Sequence, residues 1–171
     1  AAKTAVAGEG DAVDAAYLPL AHAYVGAPMQ LPTEEVLARL TPWLESAQQS
    51  KLGQHLKYDR HVFANHGIAL RGVGDDTLLE SYVLESDKGH DLGALATRHL
   101  GVATIAYDDV TGKGASRISF AQVDLSRAAE YAAEDADVTL RVHRARRPQL
   151  AAAAPLERIY REIELPLAEL L

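Results

Sequence analysis

The stretch 131–137, read YAAEDAD, constrains the chain most. It lies inside a long helical pattern that begins near Asp124 and ends before Pro148. Tyr131, Asp135, Val138 and Val142 fall at i, i+4, i+7 and i+11, which is one stripe of a helix. A phenol and a carboxylate therefore point the same way as two valines. An ionised carboxylate on an inward stripe costs several kcal/mol unless something pairs with it. A divalent cation is one partner, and an arginine or lysine is another. This stretch alone leaves both open.

Composition sets wide bounds. A chain of 171 residues with 48% hydrophobic content suits one domain, with room for a fragment of a second. It has no cysteine, which excludes a disulfide scaffold and thiolate metal sites and suits a cytoplasmic setting. No apolar run approaches the ~18 residues of a membrane span, and no signal-peptide pattern opens the sequence. A net charge of −7 argues against holding nucleic acid by bulk electrostatics. It leaves room for a metal-dependent nuclease, whose site concentrates carboxylates. Arg141, Arg144, Arg146 and Arg147 form the one dense basic run. Read plainly, they are a last helical turn that complements the helix dipole.

Periodicity places the other elements. A strand at 4–7, a turn at 8–11 and a partner strand at 16–21 predict a hairpin. Thr33 is expected to cap a helix with Glu34 and Glu35 in its first turn. Val36, Leu37, Leu40, Trp43 and Leu44 give that helix an apolar face, and Pro42 should bend or break it. A short strand follows at 51–54, then a helix at 56–65 stopped by Gly67. Residues 68–70 read as extended, and 76–84 and 91–100 as helices, the second ended by Gly101. Residues 104–120 read as irregular, centred on Gly112-Lys113-Gly114. After the organising helix, 151–154 reads as a small-residue linker. Pro155 then starts a last amphipathic helix, interrupted by Pro166. Early strands with later helices indicate an α/β or α+β domain, helices against a small mixed sheet.

Taken singly, the polar residues have plain readings. Asp59, in KLGQHLKYDR, is a first-turn acid that favours the helix dipole. Gln54, His55 and Tyr58 are surface or packing residues. Asp135 pairs with a neighbouring arginine, and Tyr131 is a core aromatic. The seven histidines show neither an HExxH pattern nor a zinc spacing. There is no P-loop and no GxSxG elbow, and GKG is too short to cradle phosphate. Residue by residue, the chain is a metal-capable α/β domain.

In order, the strings say more. KLGQHLKYDRHVFANHGIALRG, DTLLESYVLES, HDLGALATRHLG, the GKG segment and YAAEDADVTLRVH follow one another here. Together they resemble the 3′→5′ proofreading exonuclease domain of bacterial family A DNA polymerases, the DNA polymerase I type. The resemblance runs from about Ala16 to Leu171. It implies a ribonuclease-H-like fold, a mixed sheet flanked by helices. It implies four carboxylates in three motifs around two divalent metal ions, Mg²⁺ or Mn²⁺, with Zn²⁺ as an option. The second motif, Asn-x-x-x-Asp, reads here as His55 to Asp59, with the metal-ligand Asp59 kept and histidine in place of asparagine. The third, Tyr-x-x-x-Asp, is intact. By resemblance Tyr131 orients the attacking water, Asp135 ligates metal, and Gln54, His55 and Tyr58 contact nucleic acid.

The first motif of that family, Asp-x-Glu on the opening strand, is not found. Glu9-Gly10-Asp11 has the wrong order, and the chain is read as beginning in the second strand of the fold. Residues 1–150 are then the exonuclease-like domain. Residues 151–171, with ELPLAELL, are the linker and start of a polymerase helix. The resemblance implies a monomeric, cytoplasmic, nucleoid-associated bacterial protein acting on single-stranded DNA 3′ ends for proofreading in replication and repair. The chain alone, short of two carboxylates, is expected to be inactive. Two other readings are a vestigial exonuclease-like module that only supports a polymerase, and a ribonuclease-D-like exonuclease. Retention of Asp59, Tyr131 and Asp135 favours a working exonuclease over the first. The polymerase-like last helix argues against the second.

Overall fold

The structure, a computed structural model, describes residues 2–5 and 14–170. Among the described residues the chain is mostly helical, with four short strands. These are β1 (Ala2–Ala5), β2 (Asp14–Tyr17), β3 (Lys51–Gly53) and β4 (Val73–Asp76). The helices are α1 (Thr33–Leu44), α2 (Leu56–Ala64), α3 (Thr77–Leu84), α4 (Leu92–Leu100), α5 (Tyr107–Thr111), α6 (Leu125–Ala152), α7 (Ala154–Ile159) and α8 (Leu165–Leu170). β1 and β2 form an antiparallel ladder, with Ala2 opposite Tyr17. β3 and β4 form a parallel one, irregular between Lys51 and Leu52.

Two compact units divide these elements. One holds Ala1–Ala38 and Ala103–Asp137, the other Arg39–Val102 and Val138–Leu171. In the first, Val110, Val123 and Ala128 are buried, and Tyr17, Ile105, Phe120 and Tyr131 pack on them. His22 fastens this core. Its Nδ1 lies 3.0 Å from the Val123 carbonyl, which can only accept, so Nδ1 donates. The Tyr17 hydroxyl meets Nε2 at 2.7 Å. In the second unit, Leu95 and Ala96 of α4 pack on Val138 and Val142 of α6. The valines of the organising stripe are thus core, as their spacing predicts.

The second unit is built around Asp76. Its carboxylate accepts from His55 N at 3.0 Å, Leu56 N at 2.7 Å and Leu78 N at 2.9 Å. One side chain therefore caps α3 and closes the start of α2, satisfying donors that helix termini leave open. His55 must turn into the left-handed region, φ 61°, to bring its N–H to Asp76. That region suits asparagine best among residues with a side chain and also admits histidine. The histidine at the family's asparagine position is thus compatible with the turn. We expect Asp76→Ala, with three N–H groups left without an acceptor, one of them buried, to lower stability by about 2–4 kcal/mol. Asp76→Asn, which keeps one acceptor oxygen, should lose less. A urea midpoint unchanged in the alanine variant would contradict this.

α3 buries its polar side. Thr77, Glu80 and Ser81 are fully inaccessible, whereas Tyr82 is exposed. Each of the three residues has a partner: the Thr77 hydroxyl donates to the Gln54 side-chain oxygen at 2.5 Å, Ser81 meets His90 at 2.9 Å and Glu80 Oε1 meets His143 at 2.8 Å.

Several expectations are revised. The hairpin exists, but its second strand is Asp14–Tyr17, so the predicted strand 16–21 overlaps it only at its first two residues. Pro19 lacks the N–H that a ladder needs. Val6, Ala7, the turn 8–11 and Glu9-Gly10-Asp11 lie outside the described residues. Pro42 does not break α1, which ends two residues later at Leu44. Residues 68–70 are not a strand; the strand is Val73–Asp76. Gly72, at φ 69°, makes the turn into it, and a Cβ there would lie 2.5 Å from the Gln49 carbonyl oxygen. Residues 104–120 hold α5, a 3₁₀ turn at Gly114–Ser116 and the start of a second at Phe120–Gln122. α6 runs through Pro148 to Ala152. Only Ala153 separates it from α7, so the linker 151–154 is mostly helical. Before Pro166 the last helix widens into a π-helical turn, Tyr160–Glu164, rather than stopping.

Candidate active site

The first half of α6 carries Tyr131 and Asp135 one turn apart in the first unit. Asp124 starts that helix by accepting from Ser126 N at 2.9 Å. The Tyr131 hydroxyl and the Asp135 carboxylate lie close enough for each to shift the other's titration. Its ring is held by Phe120 at 6.0 Å and Tyr107 at 6.2 Å, which stack on each other. Burial, and then the Asp135 charge, push the Tyr131 phenol far above its ordinary value. It therefore stays a donor at any working pH. Burial also pushes the Asp135 carboxyl up, while the Tyr131 hydroxyl draws it back. Neighbouring Glu134 raises it further, and Glu134 itself accepts from Ile105 N at 2.6 Å. Asp135 thus has a phenol neighbour within its own helix, where the plain reading expected an arginine.

Asp59 lies on α2 in the second unit, half-buried. Burial first, and then the Asp76 charge, push its carboxyl up, and His55 partly offsets this. His55 and Tyr58 are exposed, their ring centroids 6.5 Å apart and tilted by 37°. Gln54 is tied inward: its oxygen accepts from Thr77, and its amide donates to the His90 carbonyl at 2.7 Å. The structure thus brings Tyr131 and Asp135 together in one unit. It groups Gln54, His55, Tyr58 and Asp59 in the other.

Sequence reasoning missed a third group. Asp75 on β4, Glu80 on α3 and His143 on α6 each present a ligand-type atom within 4.8 Å of the others'. Glu80 is completely buried. Its burial pushes the carboxyl up, and His143 draws it back. The hydrogen bond to Glu80 holds the His143 imidazole above its ordinary value. From the C-terminal segment, the buried Tyr160 hydroxyl lies 3.1 Å from Asp75 Oδ1 and accepts from Asp76 N at 3.0 Å. Arg161 reaches Asp75 at 2.8 Å, and Arg147 reaches Glu157 at 2.5 Å.

The basic run is not a helix-end feature, since α6 continues to Ala152. Arg146 is buried against Glu85 at 2.9 Å, and Arg147 belongs to the Glu157 pair. Of the four, Arg144 is exposed, and Arg141 and Arg147 are half-buried. Among the described residues, no helix is long and apolar enough to cross a membrane.

The 3′-5′ exonuclease family matches residues 12–151, and the chain belongs to that family.

The relatives are more particular. The chain is 50% identical over 161 residues to DNA polymerase I of Pseudomonas aeruginosa, covering 92% of this chain and 18% of that protein. It is 42% identical over 171 residues to DNA polymerase I of Rhizobium leguminosarum, covering 95% and 17%. These findings place it with the 3′-5′ exonuclease region of DNA polymerase I. It spans less than a fifth of the length of either protein. A solved structure titled as the POL domain of Pol1 from M. smegmatis in complex with DNA primer-template and dNTP matches at a TM-score of 0.63. That match has 24% identity and covers 81% of this chain and 21% of the other, a likeness of fold.

Proposed function

We propose that this chain is the proofreading exonuclease part of a bacterial DNA polymerase I, removing nucleotides from DNA 3′ ends. The observation that carries the reading is the Tyr131–Asp135 pair, set in the family's third-motif spacing one turn apart on α6. The family match ending at residue 151 supports a division into an exonuclease-like part, 1–150, and a segment, 151–171, leading to a polymerase domain of the same chain. The family also supports a ribonuclease-H-like core. The bacterial relatives support a cytoplasmic, nucleoid-associated setting.

Asp59 and Asp135 are the proposed metal ligands. Both are half-buried carboxylates whose burial opposes ionisation, a cost that a bound cation would reverse. Two divalent ions, Mg²⁺ or Mn²⁺, would supply water activation and charge neutralisation at the leaving oxygen. The chain's own residues do the positioning. Tyr131, one turn from Asp135, presents a hydroxyl whose oxygen lone pairs can accept from the attacking water. Phe120 and Tyr107 fix the ring that aims it. His55 and Tyr58 offer faces on which terminal bases of a single strand can stack. Gln54, anchored through Thr77 and His90, steadies the strand–helix turn that presents them. The 171 residues contain no Asp-x-Glu pair, so the isolated chain should turn over slowly.

The test uses a DNA polymerase I whose exonuclease segment is this sequence. A labelled single strand should shorten from its 3′ end in Mg²⁺. Asp59→Asn should slow that shortening at least about a hundredfold, the scale of a lost metal ligand, with nucleotide incorporation unchanged. Shortening at the parent rate in Asp59→Asn would overturn the assignment. A polymerase with no 3′ shortening at all would favour the vestigial module.

A further inference from the structure

We propose that Asp75, Glu80 and His143 form a transition-metal site separate from the exonuclease carboxylates, suited to Zn²⁺. Three observations carry it. The donor set is one imidazole nitrogen and two carboxylate oxygens, the N/O chemistry of zinc sites with an open position. The three ligand-type atoms already lie within 4.8 Å of one another. Ligands around a tetrahedral Zn²⁺ stand about 3.3 Å apart, given bonds of about 2.0–2.1 Å. Closing the cluster thus needs side-chain shifts of little more than about 1 Å. Finally, Glu80 is fully buried and its Oε2 has no hydrogen-bond partner, although Oε1 meets His143 Nδ1 at 2.8 Å. A buried carboxylate oxygen without a partner is costly, and a cation beside it removes that cost.

The surrounding charges set how the site behaves. His143 faces Glu80 from α3, Asp75 from β4 and Arg147 from its own helix. The C-terminal segment adds Glu157 and Arg161, paired with Arg147 and Asp75, and the Tyr160 hydroxyl. With His143 neutral, Asp75, Glu80 and Glu157 carry three negative charges against the two of Arg147 and Arg161. One negative charge is left over. A proton on His143 or a divalent ion can answer it, and the two exclude each other because a metal-bound imidazole nitrogen carries no proton. Arg161, at 2.8 Å from Asp75, competes for that carboxylate and weakens the site relative to a bare three-ligand cage. Mg²⁺ is a poor occupant, since it prefers six oxygen ligands in octahedral geometry. Zinc binding should therefore release a proton and weaken by about tenfold per pH unit below the His143 titration.

The experiment titrates Zn²⁺ into the 171-residue chain carrying Asp59→Asn and Asp135→Asn, which removes the expected exonuclease ligands. Calorimetry at pH 8 should show one site, with no competition from millimolar Mg²⁺. His143→Gln and Asp75→Asn should each weaken binding at least tenfold. Both replacements keep hydrogen-bonding capacity near Glu80, and circular dichroism checks that the variants are folded. Should the carboxylate double variant fail to fold, the wild-type chain against His143→Gln gives the same comparison. No zinc heat and no zinc-induced rise in melting temperature would overturn the proposal. So would binding that survives both His143→Gln and Asp75→Asn, which would put the ion on other histidines.

Discussion

Asp135→Ala should abolish 3′-end hydrolysis in a DNA polymerase I carrying this sequence, lowering the rate by about 10³-fold or more. That corresponds to ~4 kcal/mol of barrier. Deleting the carboxylate removes a proposed metal ligand and, with it, the charge beside the Tyr131 hydroxyl. Tyr131→Phe should cost less, about ten- to a hundredfold. It keeps the ring against Phe120 and Tyr107 and loses only the hydroxyl. The Phe variant should bind a 3′ end as tightly as the parent, because the lost hydroxyl acts on water rather than on DNA. A filter-binding or anisotropy measurement with a single strand separates the two steps. Equal hydrolysis by Asp135→Ala and the parent would remove Asp135 from the chemistry. A Tyr131→Phe defect confined to binding would move Tyr131 to a DNA contact. Nucleotide incorporation should be unchanged in both, which excludes a general folding defect.

The elements that the sequence predicted well are those with local signals. Asp91 caps α4 and Gly101 ends it in the left-handed conformation, both from residue chemistry within one turn. The stripe Tyr131, Asp135, Val138 and Val142 is likewise a property of one helix. The prolines misled because their cost is paid or avoided elsewhere. Pro148 sits inside a helix whose Val142, Arg146 and Leu150 are buried, and that packing outweighs a missing N–H. β4 went unread because VGDD has no apolar alternation; it is a strand because β3 lies beside it. The cluster of Asp75, Glu80 and His143 joins positions 63 or more residues apart for its imidazole. No window along the chain could show it. The inverted burial of α3 hid it further, since hydrophobic periodicity assigns Leu79 and Val83 to the core and Glu80 to solvent. The pairing of His143 with Glu80 is therefore knowledge that only tertiary structure supplies.

That pairing makes His143→Leu the largest expected loss of stability. Glu80 would be left fully buried with its one hydrogen-bonded partner gone. Breaking a buried pair from one side costs about 3–5 kcal/mol, because the remaining charge is uncompensated. Removing both partners in His143→Leu/Glu80→Leu should recover much of that, since leucines of similar volume leave no orphaned charge. The double variant should thus be more stable than His143→Leu alone, an ordering that a lost packing contact does not produce. pH gives a second reading. The Glu80 hydrogen bond raises the His143 imidazole in the folded state. Its stabilisation is therefore fully present below the unfolded histidine value of about 6.5 and is lost as pH rises through the folded value. Burial raises Glu80 as well, so its contribution also declines as pH rises above the ordinary carboxylate range. In chelator, wild-type stability should fall from pH 6.5 upward. His143→Leu should lack that histidine-linked fall and should regain stability in acid, where Glu80 takes up a proton. Urea unfolding at several pH values measures both trends. A His143→Leu variant no less stable than wild type at pH 6, or less stable in combination with Glu80→Leu than alone, would show that the buried pair does not hold α3 to α6.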